Sequence, residues 1–377
     1  MKIVLDARFL GPDSGGIGRY TNNLLSNLSE IDKKNEYAVI LRKSNFHLFN
    51  PAADNFKKIL IDAHWYSIKE QILLPPVLYK EKPDLVHFPH FNVPLLWNGK
   101  FLMTVHDLIF SKFGREISRS RFYPVKKILY GQILKKGVSA AEKIMVPSSS
   151  VRKELLKKFK VQGEKIVVIY EGVEEVFTEY GKRELSKGEK QKVLATYGIK
   201  EPFIITVGNS YQYKNVGRVF EALDYLPIDL NLVHVSKRDT FSTVLLDQAK
   251  KLNLGKRFII TGYISDEDLA SLYKLAEAFV FPSISEGFGL PGLEAMAVGC
   301  PVVCSDIEVF TEVYGEAAIY FNPKDPKNIA EKIKFVTTNP KLRTQLTTKG
   351  FEQAKKYSWE KTAKETLEAY NEVVRNL

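Results

Sequence analysis

"AFVFPSISEGFGLPGLEAMAVGCPVVCSD", residues 278–306, carries the reading that decides the fold. Its first six residues are an apolar, partly β-branched run; "PVVCSD" is a second. Between them lies a glycine- and proline-rich loop, then a segment with helical spacing. Strand, loop, helix, strand in so short a space is a βαβ unit, which places the two strands parallel. The loop contains Glu286 and, eight positions on, Glu294. Three readings stand open: a catalytic carboxylate pair, a phosphate cradle, or a helix start with two exposed acids. Pro291 suits the first helical position. The N–H groups of Phe288, Gly289 and Leu290 would then face out of a helix N-terminus, where an anion binds without a metal. Glu294, one turn in, could hold the vicinal hydroxyls of a ribose.

The same alternation runs outward in both directions. "KIVLDARFL", "YAVILR", "KILI", "DLVHFPHF", "FLMTVHD", "KIMVPSS" and "KIVVIY" form one strand series. "FIITVGN", "NLVHVS", "RFIITGY", "AFVFPS", "PVVCSD" and "AIYFN" form another. Strands apolar on both faces and separated by helices predict parallel sheets covered on both sides, here as two doubly wound domains. The polar stretch "FTEYGKRELSKGEKQ" between the series is expected to be a linker, at 173–195. The domains are then 1–172 and 196–357, with the terminal helix, about 358–377, packing back on the first through Trp359, Thr362, Leu367 and Val373. Ligands bind beyond the carboxyl ends of such strands.

Composition narrows the class. A chain of 377 residues, 26% charged and 45% hydrophobic, reads as a globular protein of more than one core. Two cysteines, Cys300 and Cys304, give no disulfide framework, and core packing is their expected role. No apolar run reaches spanning length, and "MKIVLDARFL" reads as a strand and not a signal peptide, so a cytoplasmic location is expected. Of the net charge of +11, residues 1–170 carry +13, with 28 Lys/Arg against 15 Asp/Glu. Segment 112–160 alone holds 14 basic and 3 acidic residues interleaved with Phe113, Phe122, Tyr123, Ile128, Leu129 and Leu134. Such a segment suits an anionic membrane surface, or is a solvated helix with an inward apolar stripe.

Other strand ends carry candidate chemistry. "GPDSGGIGRY" puts Gly15 and Gly16 between a strand and a helix. A G-x-G-x-x-G fingerprint would need glycine where Thr21 stands, so dinucleotide binding is not expected. "TVHDLIF" brings His106 to a strand end, as a donor to a sugar oxygen or as a satisfied histidine beside the sheet. His87 and His90 end the preceding strand and could line an acceptor wall. Lys214, in "VGNSYQYKN", can neutralise a diphosphate. The acidic run Asp266-Glu267-Asp268 reads as a capped helix start, Ser265 and Asp268 making a capping box, and not as a metal motif.

Taken together, "PSISEGFGLPGLEAMAVGCPVVCSD", "GGIGRY", "TVHDLIF", "VPSSS", "VIYEGV", "GYISDEDLASLY" and "YSWEKTA" resemble the retaining glycosyltransferases of family 4, over nearly the whole chain. The Glu-x7-Glu block is the specific part. The resemblance implies a GT-B fold, two Rossmann-like domains facing across a deep cleft. It implies transfer of a sugar from a nucleotide diphosphate sugar, GDP-mannose or a UDP-sugar, to a glycan or lipid-linked oligosaccharide. Bacterial surface polysaccharide or lipopolysaccharide synthesis would follow, with the protein peripheral on the inner face of the plasma membrane. No metal or other cofactor is expected, and no nucleic acid.

Residue by residue, the resemblance implies that Glu286 and His106 serve the reacting sugar. Gly287, Phe288, Gly289 and Leu290 would hold the diphosphate and Glu294 the ribose. Lys214 would neutralise the leaving group, with Gly15 and Gly16 approaching it. Tyr263 and Ile264 would lie at the base. Asn209 stands where many members carry a phosphate-binding arginine, a departure that leaves Lys214 more of the charge. Two rivals use similar folds. A nucleotide-sugar epimerase would convert donor without any acceptor, and a non-catalytic carbohydrate-binding relative would show no turnover.

Overall fold

The computed structural model describes residues 1–51, 53–118 and 122–375. It divides into two compact units, one of 1–114, 118–172 and 358–377, the other of 115–117 and 173–357. The sequence boundary at 172 coincides with this division. The segment expected as a linker does not exist as one. It forms two helices of the second unit, Glu175–Lys182 and Lys187–Tyr197. Phe177 anchors the first in the core and Val193 the second. With one apolar anchor per helix, the segment shows too little periodicity to be read from its pattern.

The first unit is built on seven strands: β1 (Lys2–Asp6), β2 (Glu36–Leu41), β3 (Phe56–Leu60), β4 (Leu85–Phe88), β5 (Phe101–Thr104), β6 (Lys143–Val146) and β7 (Ile166–Val168). All are parallel, in the order β3-β2-β1-β4-β5-β6-β7. The second has six, also parallel: β8 (Phe203–Val207), β9 (Asn231–Val235), β10 (Phe258–Ile260), β11 (Phe279–Phe281), β12 (Val302–Ser305) and β13 (Ala318–Phe321). Their order is β10-β9-β8-β11-β12-β13. Each sheet reverses its winding once, at β1/β4 and at β8/β11, and loops at a reversal splay apart to leave a crevice. Cys300 is buried just before β12 and Cys304 within it, and burial pushes both thiols up, that of Cys300 to about 12.

The C-terminal helix Trp359–Arg375 belongs to the first unit. Its Thr362 hydroxyl donates to the Tyr170 carbonyl at 2.7 Å, and the Tyr370 hydroxyl lies 2.6 Å from His87 Nδ1. Where the helix begins, Gly172 touches it backbone to backbone: a Cβ there would stand 2.1 Å from Trp359 N. No flexible side chain can yield at that contact. Gly172→Ala should therefore lower stability by about 3 kcal/mol, as overpacking does, read as a fall in Tm. An unchanged Tm would mean the helix is not seated so closely.

Candidate functional site

Because all strands of a sheet run one way, every carboxyl-end loop emerges on one side. In the second unit this brings the loops after β8 and β11 together. Lys214 ends the 3-10 turn Gln212–Lys214, and its Nζ lies 2.6 Å from Glu286 Oε1, with both side chains about nine-tenths buried. Asn215, in the left-handed conformation that asparagine tolerates, ties three loops. Its amide donates to Pro282 O at 3.1 Å and Pro323 O at 2.8 Å. Beneath, His234 links Thr206 at 2.9 Å and Ser210 at 3.2 Å, and Ser210 meets Ser236 at 2.9 Å. Asn209 turns to the Tyr213 hydroxyl at 3.4 Å.

The helix Leu290–Ala297 starts at Gly289, whose φ of 101° is open to glycine and strained for other residues. Leu290 takes the first helical position and Pro291 the second, one place later than expected. The entry angle is fixed by residues that the sequence reading passed over. Tyr314 donates its hydroxyl to Gly289 O, and its ring packs against Phe310 with centroids 5.2 Å apart. Phe288 and Glu294 are buried at this mouth. Ile264 is buried too, whereas Tyr263 is 79% exposed beside Gly262. The Ser265 hydroxyl caps Asp268 N as expected, but the box is half made, because the Asp268 carboxylate accepts from Tyr197 Oη at 2.5 Å. Among the described residues, no group of three His, Cys, Asp or Glu could hold a metal ion.

In the first unit, His106 follows β5, but neither ring nitrogen is free. Nδ1 lies 3.1 Å from Glu171 Oε1 and Nε2 2.9 Å from Pro89 O. Burial pushes its pKa down, yet Glu171 and the Pro89 carbonyl outweigh this and hold it above the ordinary value. The expected donation to a sugar oxygen therefore requires His106 to share or release an acceptor. Glu171 was visible in "VIYEGV" but carried no motif of its own. His87 is enclosed by Tyr370 and Thr104 and lines no wall, whereas His90 stacks 6.2 Å from His106. Gly15 and Gly16 open the helix Gly15–Ile31 with open space where a Cβ would stand.

Beside His90 stand Phe9, Trp65 and Tyr66, with Phe9–Trp65 stacked at 4.8 Å and Phe9–His90 edge-on at 5.4 Å. A buried charge cluster supports them. Arg8 Nη2 pairs with Asp6 Oδ2 at 2.6 Å and with Glu70, while Asn92 donates to Glu70. Glu70 Oε2 accepts the Tyr66 N–H at 2.9 Å and so holds that residue at φ 60°. Desolvation pushes the Glu70 carboxyl up to about 7 against the pull of Arg8. Only the pattern "AHWYS" hinted at this wall, and aromatic residues before a helix are ordinarily core.

Burial depresses three histidines: His87 to about 3, His234 to about 4, and His90 well below the ordinary 6.5. The unfolded chain takes up these protons near its ordinary pKa and the folded chain does not, so stability falls as pH drops below about 6.5. His106 works the other way: its contribution is present in acid and fades as pH rises through its raised value. Glu70, its carboxyl raised to about 7 in the folded chain, also works the other way and contributes more as pH falls below that value. Three against two, Tm should decline from about pH 6.5 to pH 5. His234→Gln should make the decline shallower by about 1.4 kcal/mol per pH unit. An identical slope in that variant would contradict a neutral buried His234.

Comparison with known proteins agrees with this architecture. The model for glycosyl transferases group 1 matches residues 166–353, and that for glycosyltransferase family 4 matches residues 14–177. An O-antigen chain mannosyltransferase of Salmonella typhimurium is 30% identical over 279 residues, 73% of this chain and 71% of that protein. O-antigen chain mannosyltransferase B of Escherichia coli is 27% identical over 98% of this chain and 99% of its own length. Among solved structures, sucrose-phosphate synthase of Thermosynechococcus elongatus superposes with a TM-score of 0.78 at 20% identity, each chain fully covered. The fold is GT-B, and the chain belongs to the group 1, family 4 glycosyltransferases.

Proposed function

We propose that the chain moves a sugar from a nucleotide diphosphate sugar, GDP-mannose or a UDP-sugar, to a hydroxyl, with retention at the anomeric carbon and without a metal. The observation that carries this is the Lys214–Glu286 pair beside the mouth of the helix Leu290–Ala297. An ammonium and outward backbone N–H groups are the elements that stabilise a departing diphosphate. Glu286 is paired with the ammonium. A bound diphosphate would take Lys214 and leave the carboxylate to the hydroxyls of the transferred sugar.

The remaining roles are those that the family resemblance implies. Gly287, Phe288, Gly289 and Leu290 cradle the diphosphate, Glu294 holds the ribose, and Tyr263 and Ile264 flank the base. His106 is assigned to the transferred sugar, with Glu171 at its Nδ1. Asn209, turned to Tyr213, supplies no cation. The anomeric C–O bond breaks with its electron pair going to the diphosphate. The acceptor oxygen forms the new bond on the same face and gives its proton to a phosphate oxygen. The relatives are O-antigen chain mannosyltransferases, which supports mannose as the sugar and a glycan or lipid-linked oligosaccharide as acceptor. A place in surface polysaccharide or lipopolysaccharide synthesis follows, with the protein lying peripherally on the inner face of the plasma membrane.

Two measurements test this. A thermal-shift panel of nucleotides and nucleotide sugars should raise Tm for GDP-mannose or one UDP-sugar by mass action, about 2.7 kcal/mol at a hundredfold excess over Kd. No shift with any member would contradict the reading. Glu286→Gln should lower sugar transfer by about 100-fold or more while the nucleotide diphosphate still binds. Unchanged turnover would remove Glu286 from the reaction.

A further inference from the structure

The loop that opens the helix Leu290–Ala297 rests on a column of rings. Phe281 ends β11, and its ring packs on Phe310 with centroids 4.6 Å apart; Phe310 stacks in turn on Tyr314. Phe310 and Tyr314 lie one turn apart on the helix Glu308–Tyr314, and both are fully buried. At the other end of the column, Lys214 Nζ lies 5.4 Å from the centre of the Phe281 ring. One close-packed stack therefore bears both the ammonium and the helix mouth.

The last two glycines of "GFGLPG", Gly289 and Gly292, face this column. A Cβ on Gly289 would stand 2.3 Å from Tyr314 Oη and 2.9 Å from the Phe310 ring, and one on Gly292 2.4 Å from Tyr314 Oη. Without those side chains the helix start sits directly on the phenol, so both glycines serve the core side of the loop. The Gly289 carbonyl accepts twice, from Gly292 N at 3.0 Å and from the Tyr314 hydroxyl.

That carbonyl shares a peptide plane with the N–H of Leu290. The peptide is trans, and in a trans peptide the two groups point in opposite directions. A carbonyl turned down to the phenol thus turns the N–H up, away from the core. Leu290 is the first helical residue, so its N–H has no acceptor within the helix. Two donors on one carbonyl also polarise the peptide and strengthen the N–H at its other end. Burial raises the Tyr314 phenol well above its ordinary value, which keeps it protonated and donating.

We propose that Tyr314 is a positioning residue for diphosphate binding. Its hydroxyl holds the Gly289–Leu290 peptide so that the Leu290 N–H faces the phosphate, at a spacing from Lys214 set by the ring column. The proposal rests on the transferase reading of this loop and adds to it a residue that never touches the ligand.

The test is calorimetric titration of the full chain with UDP, GDP and the matching nucleosides, in the parent, Tyr314→Phe and Tyr320→Phe. Tyr314→Phe keeps the ring and its stack and removes only the hydroxyl. Whichever diphosphate binds the parent should bind this variant about fivefold more weakly, the worth of one hydrogen bond, with the nucleoside's affinity unchanged. Tyr320→Phe is the control. Its hydroxyl donates to Gly315 O at 2.6 Å and Phe310 O at 3.3 Å, so its loss costs the fold a comparable bond and leaves the Gly289 carbonyl alone. That variant should bind the diphosphate like the parent. Equal diphosphate affinity in Tyr314→Phe and the parent would overturn the proposal. So would a parallel loss for the nucleoside, or the same loss in Tyr320→Phe, either of which would assign Tyr314 to packing alone. A parent that binds neither diphosphate would instead refute the transferase reading, and the proposal with it.

Discussion

The pairing of β8 with β11 is the constraint on which the second unit's chemistry depends. The two strands are far apart in sequence, and Ile205 stands opposite Phe279 at the point where the sheet reverses. Parallel alignment then forces both following loops out of the same edge, so Lys214 and Glu286 meet although 72 positions separate them. Two oppositely charged groups held out of water are favourable only while paired. The pair therefore holds both groups in place at the loop edge. In the proposed reaction a diphosphate, with the helix mouth beside it, would take the ammonium and leave that carboxylate to hydroxyl groups.

The first unit applies the same constraint differently. Its carboxyl-end loops gather imidazoles, rings and a buried Asp6–Arg8–Glu70 cluster around β1 and β4. Asp6, Arg8, Glu70, His87 and His90 are buried there, and each compensation has a cost in freedom. Acceptors at both ring nitrogens raise the His106 pKa above the ordinary value, and Tyr66 is held at a positive φ by Glu70. Removing water makes these contacts strong and makes any missing partner expensive. A rigid aromatic and charged wall suits recognition of a sugar, whose C–H faces and hydroxyls need both.

Much of the fold was legible because parallel strands buried on both faces give unbroken apolar runs, and most of the thirteen strands are such runs, with helices between many of them. The linker was misread for the opposite reason: Glu175–Lys182 and Lys187–Tyr197 each bury one large apolar side chain, too few to show a period. Of the site, the loop containing Glu286 and the turn containing Lys214 could be found from glycine, proline and charge. Their contact could not, since it depends on strand order. Tyr314, which sets the angle of the Gly289 turn, and Glu171, which fixes His106, lie 25 and 65 residues from their partners. Single residues acting at such range leave no local spacing to read.

The most direct test of the account is calorimetric titration of the parent and of Lys214→Met with UDP, GDP and the corresponding nucleosides. At least one diphosphate should bind the parent. Lys214→Met should weaken that binding by about tenfold or more, the loss of a charge-assisted contact, and leave the nucleoside's affinity unchanged. Absence of binding by either diphosphate, or an affinity indifferent to Lys214, would contradict it.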